Sequence, residues 1–395
     1  MSSRDSKGSA SPDRAATRSV AELRSIEPLI VVLGATGIVG QRICSELAAA
    51  NARYAIAVRR AEADRGAAER AVVCDAFDAG SLARAFADAR VVVNAAGPLR
   101  ETAAPVLVAA MAAGAHYVDV GGEQAVTHAL YERHESTVRR AGLVALPGAG
   151  FDCVLADLAA GWAAQHLTEE LDDVGPTVRE APAPRIAEAQ PLDEIATSYV
   201  FDDLVLSAGS QRALFGAIGA RPLVWRRDRW EAGRAGALHR VNAPGLGGER
   251  DAIAYAGGEA LSIPHHVAAQ LVAAYASLTR RTGLARLVAS ALPFVPRGAA
   301  QLLAPYAPPD EDFARTRFAI IAQARRGFST TQITVRGSDI YRTTAAVTAW
   351  AAKRIAARGA GPVGMRAPGE LFRAAPALRE LVLAAGLELE PSFAA

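Results

Sequence analysis

A continuous apolar run, Leu29-Ile-Val-Val-Leu33, leads directly into Gly34-Ala-Thr-Gly37-Ile-Val-Gly40, and no other stretch restricts the fold of this chain so tightly. Five apolar residues in a row fit a central parallel strand covered on both faces. Glycine at 34 permits a tight turn, glycine at 37 lets a ligand approach the backbone, and glycine at 40 lets the following helix pack close to the strand. Val39, Ile43, Leu47 and Ala50 then recur on one helical stripe. A helix opening at such a turn presents unpaired N–H groups and the positive end of its dipole, which favours a bound phosphate. The alternative is a glycine-rich turn that binds no nucleotide; the strand–turn–helix context weighs against it.

The pattern continues. Strands are expected at Tyr54 to Val58, Ala71 to Val73, Val91 to Val93, Tyr117 to Val120 and Leu143 to Leu146, with helical periods between them. Strand–helix alternation of this kind predicts an α/β fold, a Rossmann-type doubly wound parallel sheet, over residues 28–158. A helix from Asp152 to Leu167 leads out of that sheet. Residues 159–339 lose the alternation and read as a second, α+β domain for substrate binding or dimerisation. Residues 340–395 return to a helical period and are expected to pack back on the Rossmann domain. Residues 1–27, rich in Ser, Arg, Asp and Ala, read as a disordered tail.

The end of the second strand meets the adenosine ribose in a dinucleotide-binding sheet. An acid there accepts hydrogen bonds from both ribose hydroxyls and selects NAD(H). This chain has Arg59 and Arg60 instead. A guanidinium pairs with a 2′-phosphate and stacks on adenine, so NADP(H) is favoured over NAD(H). Glu62 and Asp64 keep open a plain solvated strand end. The remaining expected cofactor contacts are Thr36, Ile38 and Val39 in the turn, Asp75 at the adenine edge, and Asn94, Ala96, Gly97 and Pro98 along the diphosphate and nicotinamide ribose.

Composition removes several other classes. The formal net charge is +2 and the arginines are scattered, so the chain lacks the dense basic face of a nucleic-acid binder. Lysine occurs only at Lys7 and Lys353, and no tyrosine precedes a lysine by four residues: Tyr117 is followed at that distance by Gly121, and Tyr131 by Glu135. Schiff-base chemistry and the short-chain dehydrogenase arrangement are therefore disfavoured. Cys44, Cys74 and Cys153 share no close spacing, which points away from disulfides and metal binding and toward a reducing cytoplasm. No uncharged apolar run is long and unbroken enough to span a bilayer.

Four segments in order, Gly34-Ala-Thr-Gly-Ile-Val-Gly40, Val91-Val-Val-Asn-Ala-Ala-Gly-Pro98, His116-Tyr-Val-Asp-Val-Gly-Gly-Glu123 and Gly148-Ala-Gly-Phe-Asp-Cys153, resemble the saccharopine dehydrogenase-like family of NADP-binding oxidoreductases, which includes trans-acting enoyl reductases. The resemblance covers about residues 29–160 and departs from the family where Cys153 stands in place of a frequent serine. It implies reduction of a C=N or C=C bond in a small or lipid-like metabolite. A nucleotide-sensing protein without turnover is the alternative.

Hydride delivery needs a proton source beyond the carboxyl ends of the strands. Glu123, after two glycines, is the acid least explained by structure. Asp152 is a second candidate, although its place before a helix also suits capping. His266 would donate from the second domain across the cleft, or else cap a helix. Asp119 closes a strand, and a nucleophilic role for Cys153 lacks a neighbouring histidine. The apolar stretch from His265 to Pro305 fits core packing, a greasy channel or a homodimer face.

Overall fold

The computed structural model describes residues 27–61, 63–172, 174–217, 220–279, 282–295 and 305–393; the expected tail up to residue 26 and Glu62 lie outside them. The first domain follows the alternation read from the sequence. It runs β1 (Leu29–Leu33), α1 (Ile38–Ala49), β2 (Tyr54–Val58), β3 (Ala71–Val73), α2 (Ala79–Ala85), β4 (Ala89–Asn94), α3 (Leu99–Ala112), β5 (His116–Asp119), α4 (Gln124–Arg140), β6 (Val144–Leu146) and α5 (Phe151–Thr168). Every residue of β1 is buried, as a strand covered by helices on both faces requires. Asp78 caps α2, its carboxylate accepting the Gly80 and Ser81 N–H groups. The strand order is β3-β2-β1-β4-β5-β6, all parallel, which is the doubly wound arrangement with a crevice above β1 and β4.

The second unit contains β7 (Glu194–Asp202), α6 (Ala208–Ala217), β8 (Leu223–Arg226), β9 (Arg229–Ala232), β10 (Leu238–Ala243), β11 (Gly248–Tyr255), α7 (Glu259–Ser262), β12 (Leu271–Ser277), α8 (Thr282–Ala291), β13 (Arg317–Arg326) and β14 (Ser329–Ser338). The chain ends with α9 (Ile340–Ala357), β15 (Gly364–Met365), α10 (Pro368–Leu371), α11 (Ala374–Ala385) and β16 (Glu388–Phe393). The second sheet runs β10-β11-β12-β7-β13-β14-β16, with β8 also on β12 and β9 on β8. It is mixed: β12 and β7 are parallel, and the other pairs are antiparallel.

Helix α5 joins the two halves. It is buried without interruption from Cys153 to Gln165, because it packs on β13 and β14 on one side and on α9 and α11 on others. A helix apolar on all sides is a core element. As expected, it leads out of the first sheet, and it passes into the second unit, where it lies on β13 and β14. The C-terminal segment likewise serves both. Helix α9 packs on α1, and β15 extends the first sheet beside β6, whereas β16 extends the second sheet beside β14. At this junction Arg42 of α1 grips Asp339, at 2.8 and 2.9 Å, while the same carboxylate caps α9 through the Tyr341 and Arg342 N–H groups.

Within the apolar stretch after His265, β12 lies in the core. Helix α8 buries Ala285 and Ala289 and leaves Leu287 exposed. Residues 296–304 lie outside the described residues. Among the described residues no helix is long and apolar enough to cross a membrane.

Candidate active site

The turn after β1 has the geometry that its glycines imply. Gly34 sits at φ +83, and a Cβ there would lie 2.6 Å from the Ala96 nitrogen. A Cβ on Gly40 would lie 2.1 Å from the Gly34 carbonyl oxygen, so only glycine lets α1 approach β1 this closely. Gly37 is the N-cap of α1 and meets nothing nearer than that same oxygen at 3.4 Å, which leaves its outer face open. No side chain caps α1 and no acid occupies its first turn. Thr36 and Gly37 are exposed, with Ile38 and Val39 half-buried behind them. The first-turn amides and the helix dipole are thus free for an anion.

At the end of β2, Arg59 and Arg60 are exposed, and no ion pair holds either among the described residues. Two unengaged guanidiniums beside an open diphosphate cradle fit a phosphorylated ribose. Asp75 is exposed at the end of β3, and its carboxylate accepts the Phe77 N–H at 3.0 Å in a local turn. It shapes that loop and stays open to solvent. Asn94, expected along the diphosphate and nicotinamide ribose, turns its side chain into the core. It is fully buried: its carbonyl accepts the Ala96 N–H at 3.1 Å and its amide lies 3.4 Å from the Tyr117 hydroxyl. Its effect reaches the cradle through the loop it holds, where Ala96 is half-buried and Gly97 and Pro98 are exposed.

Asp119 performs a similar task at the ends of β5 and β6. One carboxylate oxygen accepts the Gly121 N–H at 2.8 Å and the Gly148 N–H at 2.9 Å, which staples two glycine loops together. The stapled loops present Glu123 and Asp152. Glu123 is the N-cap residue of α4, but its side chain makes no capping bond. Burial pushes its carboxyl above the ordinary value, and the Arg100 charge opposes this. Asp152 is not the cap of α5. Gly150 is, and Asp152 sits in the first turn with its carboxylate folded over the glycine loops. A Cβ on Gly122 would lie 2.7 Å from one Asp152 oxygen, and a Cβ on Gly150 2.9 Å from the other. The residue keeps some exposed surface, yet burial of the carboxyl raises it to about 6.

The second domain closes this cluster with groups that the sequence reading missed. Glu259 is fully buried at the start of α7. One oxygen accepts the Thr197 hydroxyl at 2.7 Å and the other has no partner. Burial raises its carboxyl to about 7, and the nearby Asp152 charge adds to the rise. Tyr199 donates to the Asp152 carbonyl at 3.3 Å. Tyr255 is pushed up by burial and then by the charges of Asp152, Glu259 and Glu123, which marks all three acids as its neighbours. The available signal was a repeated tripeptide, since Gly257-Gly258-Glu259 matches Gly121-Gly122-Glu123. Carboxyls that keep a proton close to neutrality are suited to general acid work.

His266 is not part of this group. It is buried against Gly161 and Gly369, more than two turns along α5 from Asp152, with Nε2 2.9 Å from an Asp157 oxygen but lacking hydrogen-bond alignment. Crowding explains the placement: a Cβ on Gly369 would lie 2.4 Å from the imidazole. Cys153 is buried 3.9 Å from the Ser262 hydroxyl, and burial pushes its thiol well up, opposite to a nucleophile's need. His116 accepts the Val144 N–H at 3.0 Å and is structural. Among the described residues no group of three His, Cys, Asp or Glu side chains is placed to hold a metal.

Comparison with known proteins agrees with this geometry. Residues 30–146 match the family described as the saccharopine dehydrogenase NADP binding domain. A saccharopine dehydrogenase-like oxidoreductase of Bos taurus is 28% identical over 152 residues, 33% of this chain and 35% of that protein. A protein of Mycobacterium tuberculosis named as a candidate trans-acting enoyl reductase is 31% identical over 152 residues, 36% of each chain. The chain therefore aligns with only about a third of these relatives' length. The solved structure of saccharopine dehydrogenase (L-Glu forming) from Saccharomyces cerevisiae superposes with a TM-score of 0.57 at 16% identity, covering 93% of this chain and 100% of that one. The shared fold thus extends well beyond the matching sequence.

Proposed function

We propose that this chain, whose first domain is a saccharopine dehydrogenase-type NADP-binding domain, is an NADPH-dependent reductase of a C=N or C=C bond in a small or lipid-like metabolite. The observation that carries the reading is the uncapped N-terminus of α1, open at Gly37 and flanked by the unpaired Arg59 and Arg60. The amides of the first turn would hold the diphosphate and the two arginines the 2′-phosphate. When bound, the nicotinamide supplies a hydride. Ala96 to Pro98 would position its ribose, and Asn94 would keep that loop in place.

Reduction leaves one substrate atom negative, so a proton must be ready beside it. Asp152 and Glu123 are the acids on the first-domain loops, and the Asp152 charge in turn helps keep the proton on Glu259 beside them. Tyr255 and Tyr199 wall the same space from the second domain. The substrate would lie beside these acids, between the first-domain loops and the second domain, and a cytoplasmic location suits the three free cysteines.

The test is direct. Purified protein with NADPH is offered a panel of imines and enoyl thioesters while reduced nicotinamide is followed by absorbance. Oxidation with either substrate class supports a reductase. Fluorescence enhancement of NADPH with no oxidation by any substrate overturns turnover and leaves a dinucleotide-binding regulator.

A further inference from the structure

At the opposite end of α5 the structure holds a second polar site. Asp157, Gly161 and Gln165 follow one another at four-residue spacing and share a face of the helix. Asp157 is satisfied by the Ser262 hydroxyl at 2.5 Å and the Gly369 N–H at 2.8 Å. Gln165 is not. It is 1% exposed, and its side-chain oxygen has no hydrogen-bond partner. An orphaned buried acceptor costs about 1–3 kcal/mol, so proteins rarely leave one without a donor arriving from elsewhere.

Gln165 faces a recess of about 90 Å³ that it lines together with Arg179, His266, Arg366 and Glu370. The recess continues into a cleft of about 610 Å³, whose rim includes Glu170, Asp172 and Glu180. Arg179, also nine-tenths buried, spends Nε on the Gly369 carbonyl at 3.1 Å and Nη1 on Asp172 at 2.6 Å, leaving its other terminal nitrogen without a described partner. The deep end thus offers an unused acceptor and an unused cationic donor between proline walls, Pro182, Pro184 and Pro362. A recess of about 90 Å³ is large enough for a two-carbon acid at its deep end.

We infer that this recess binds a small carboxylate carrying a hydrogen-bond donor on the adjacent carbon, the carboxylate on Arg179 and the donor on the Gln165 oxygen. An α-hydroxy acid and an α-amino acid share that chemistry. From Asp152 to Gln165, α5 rises about 20 Å, so the site is separate from the reductive one and does not depend on that assignment.

The experiment is titration calorimetry on the full chain, without dinucleotide, using glycine, glycolate, acetate and glycinamide as probes. Saturable millimolar binding is expected for glycine or glycolate, with acetate (no donor) and glycinamide (no carboxylate) weaker by about tenfold or more. Which of the first two binds identifies the donor. Gln165→Met keeps the volume and removes the acceptor. It should fold normally by circular dichroism, since it deletes an unsatisfied group, and weaken the favoured probe by about tenfold. Arg179→Gln should act likewise. No saturable binding by glycine or glycolate, or binding unchanged in a folded Gln165→Met protein, overturns the inference.

Discussion

Replacing Glu259 with glutamine removes a carboxyl that the fold forces to hold its proton close to neutrality. The side chain is fully buried, one oxygen lacks a partner, and burial moves its pKa from 4.5 to about 7. The folded state therefore binds this proton more tightly than the unfolded chain does. Its contribution to stability is fully present below pH 4.5, declines as the pH rises, and is lost once the pH passes about 7. At about 1.4 kcal/mol per pH unit, that interval corresponds to roughly 3 kcal/mol. Glutamine has the same shape and cannot ionise. The stability of Glu259→Gln relative to the parent should accordingly rise by roughly 3 kcal/mol between about pH 4.5 and about pH 8. Urea unfolding followed by far-ultraviolet circular dichroism across that range reads the difference, and titrating groups remote from Glu259 cancel between the two proteins. Parallel stability curves would refute the reasoning, because they would mean that Glu259 ionises as easily in the folded protein as in the unfolded one.

Gly40→Ala would set a Cβ 2.1 Å from a backbone oxygen, so α1 must withdraw by roughly 1 Å. Loss of stability of about 1–3 kcal/mol by denaturant titration is expected, with a clear fall in NADPH affinity; retained affinity would contradict the close-approach argument. Arg59→Ala combined with Arg60→Ala should weaken NADPH by about tenfold or more and barely affect NADH, as read by cofactor fluorescence, and equal losses would remove the case for 2′-phosphate selection. With Asp152 raised to about 6, turnover that needs its protonated form should fall as the pH rises through that value, and Asp152→Asn should lower turnover and flatten that limb. An unaltered pH–rate profile in the variant would exclude Asp152 as the donor. Glu123→Gln should lower kcat more than it changes substrate affinity, and unchanged kcat would dismiss Glu123.

What could be read from the residues and what could not divides along chain distance. The cradle is written in consecutive residues, because the strand, turn and first helical stripe all fall within Leu29 to Leu47 and each has a local physical signature. The same holds for the parallel sheet of β1 to β6, since a helix follows every strand but β2 before the next strand begins. Asn94 lies where expected, but its direction depended on Tyr117 in the neighbouring strand, and a strand end allows a side chain to face the core or the crevice. The capping alternative for Asp152 missed by two residues of helix boundary, which puts its carboxyl in the first turn over Gly122, bonded to backbone N–H groups there. The Gly-Gly-Glu repeat could have marked Glu259 as a candidate, but its place, like that of His266, was out of reach for a related reason. Their roles are set by how α7 meets α5, and no local pattern encodes that contact. The division of the C-terminal segment between two sheets is equally non-local, since β15 and β16 are short and pair only with distant strands.

Calorimetric titration of the intact protein with NADPH and, separately, with NADH tests the diphosphate cradle at α1 most directly. Saturable one-to-one binding, tighter for NADPH, is the expected result. Folded protein that takes up neither dinucleotide at millimolar concentration would contradict it.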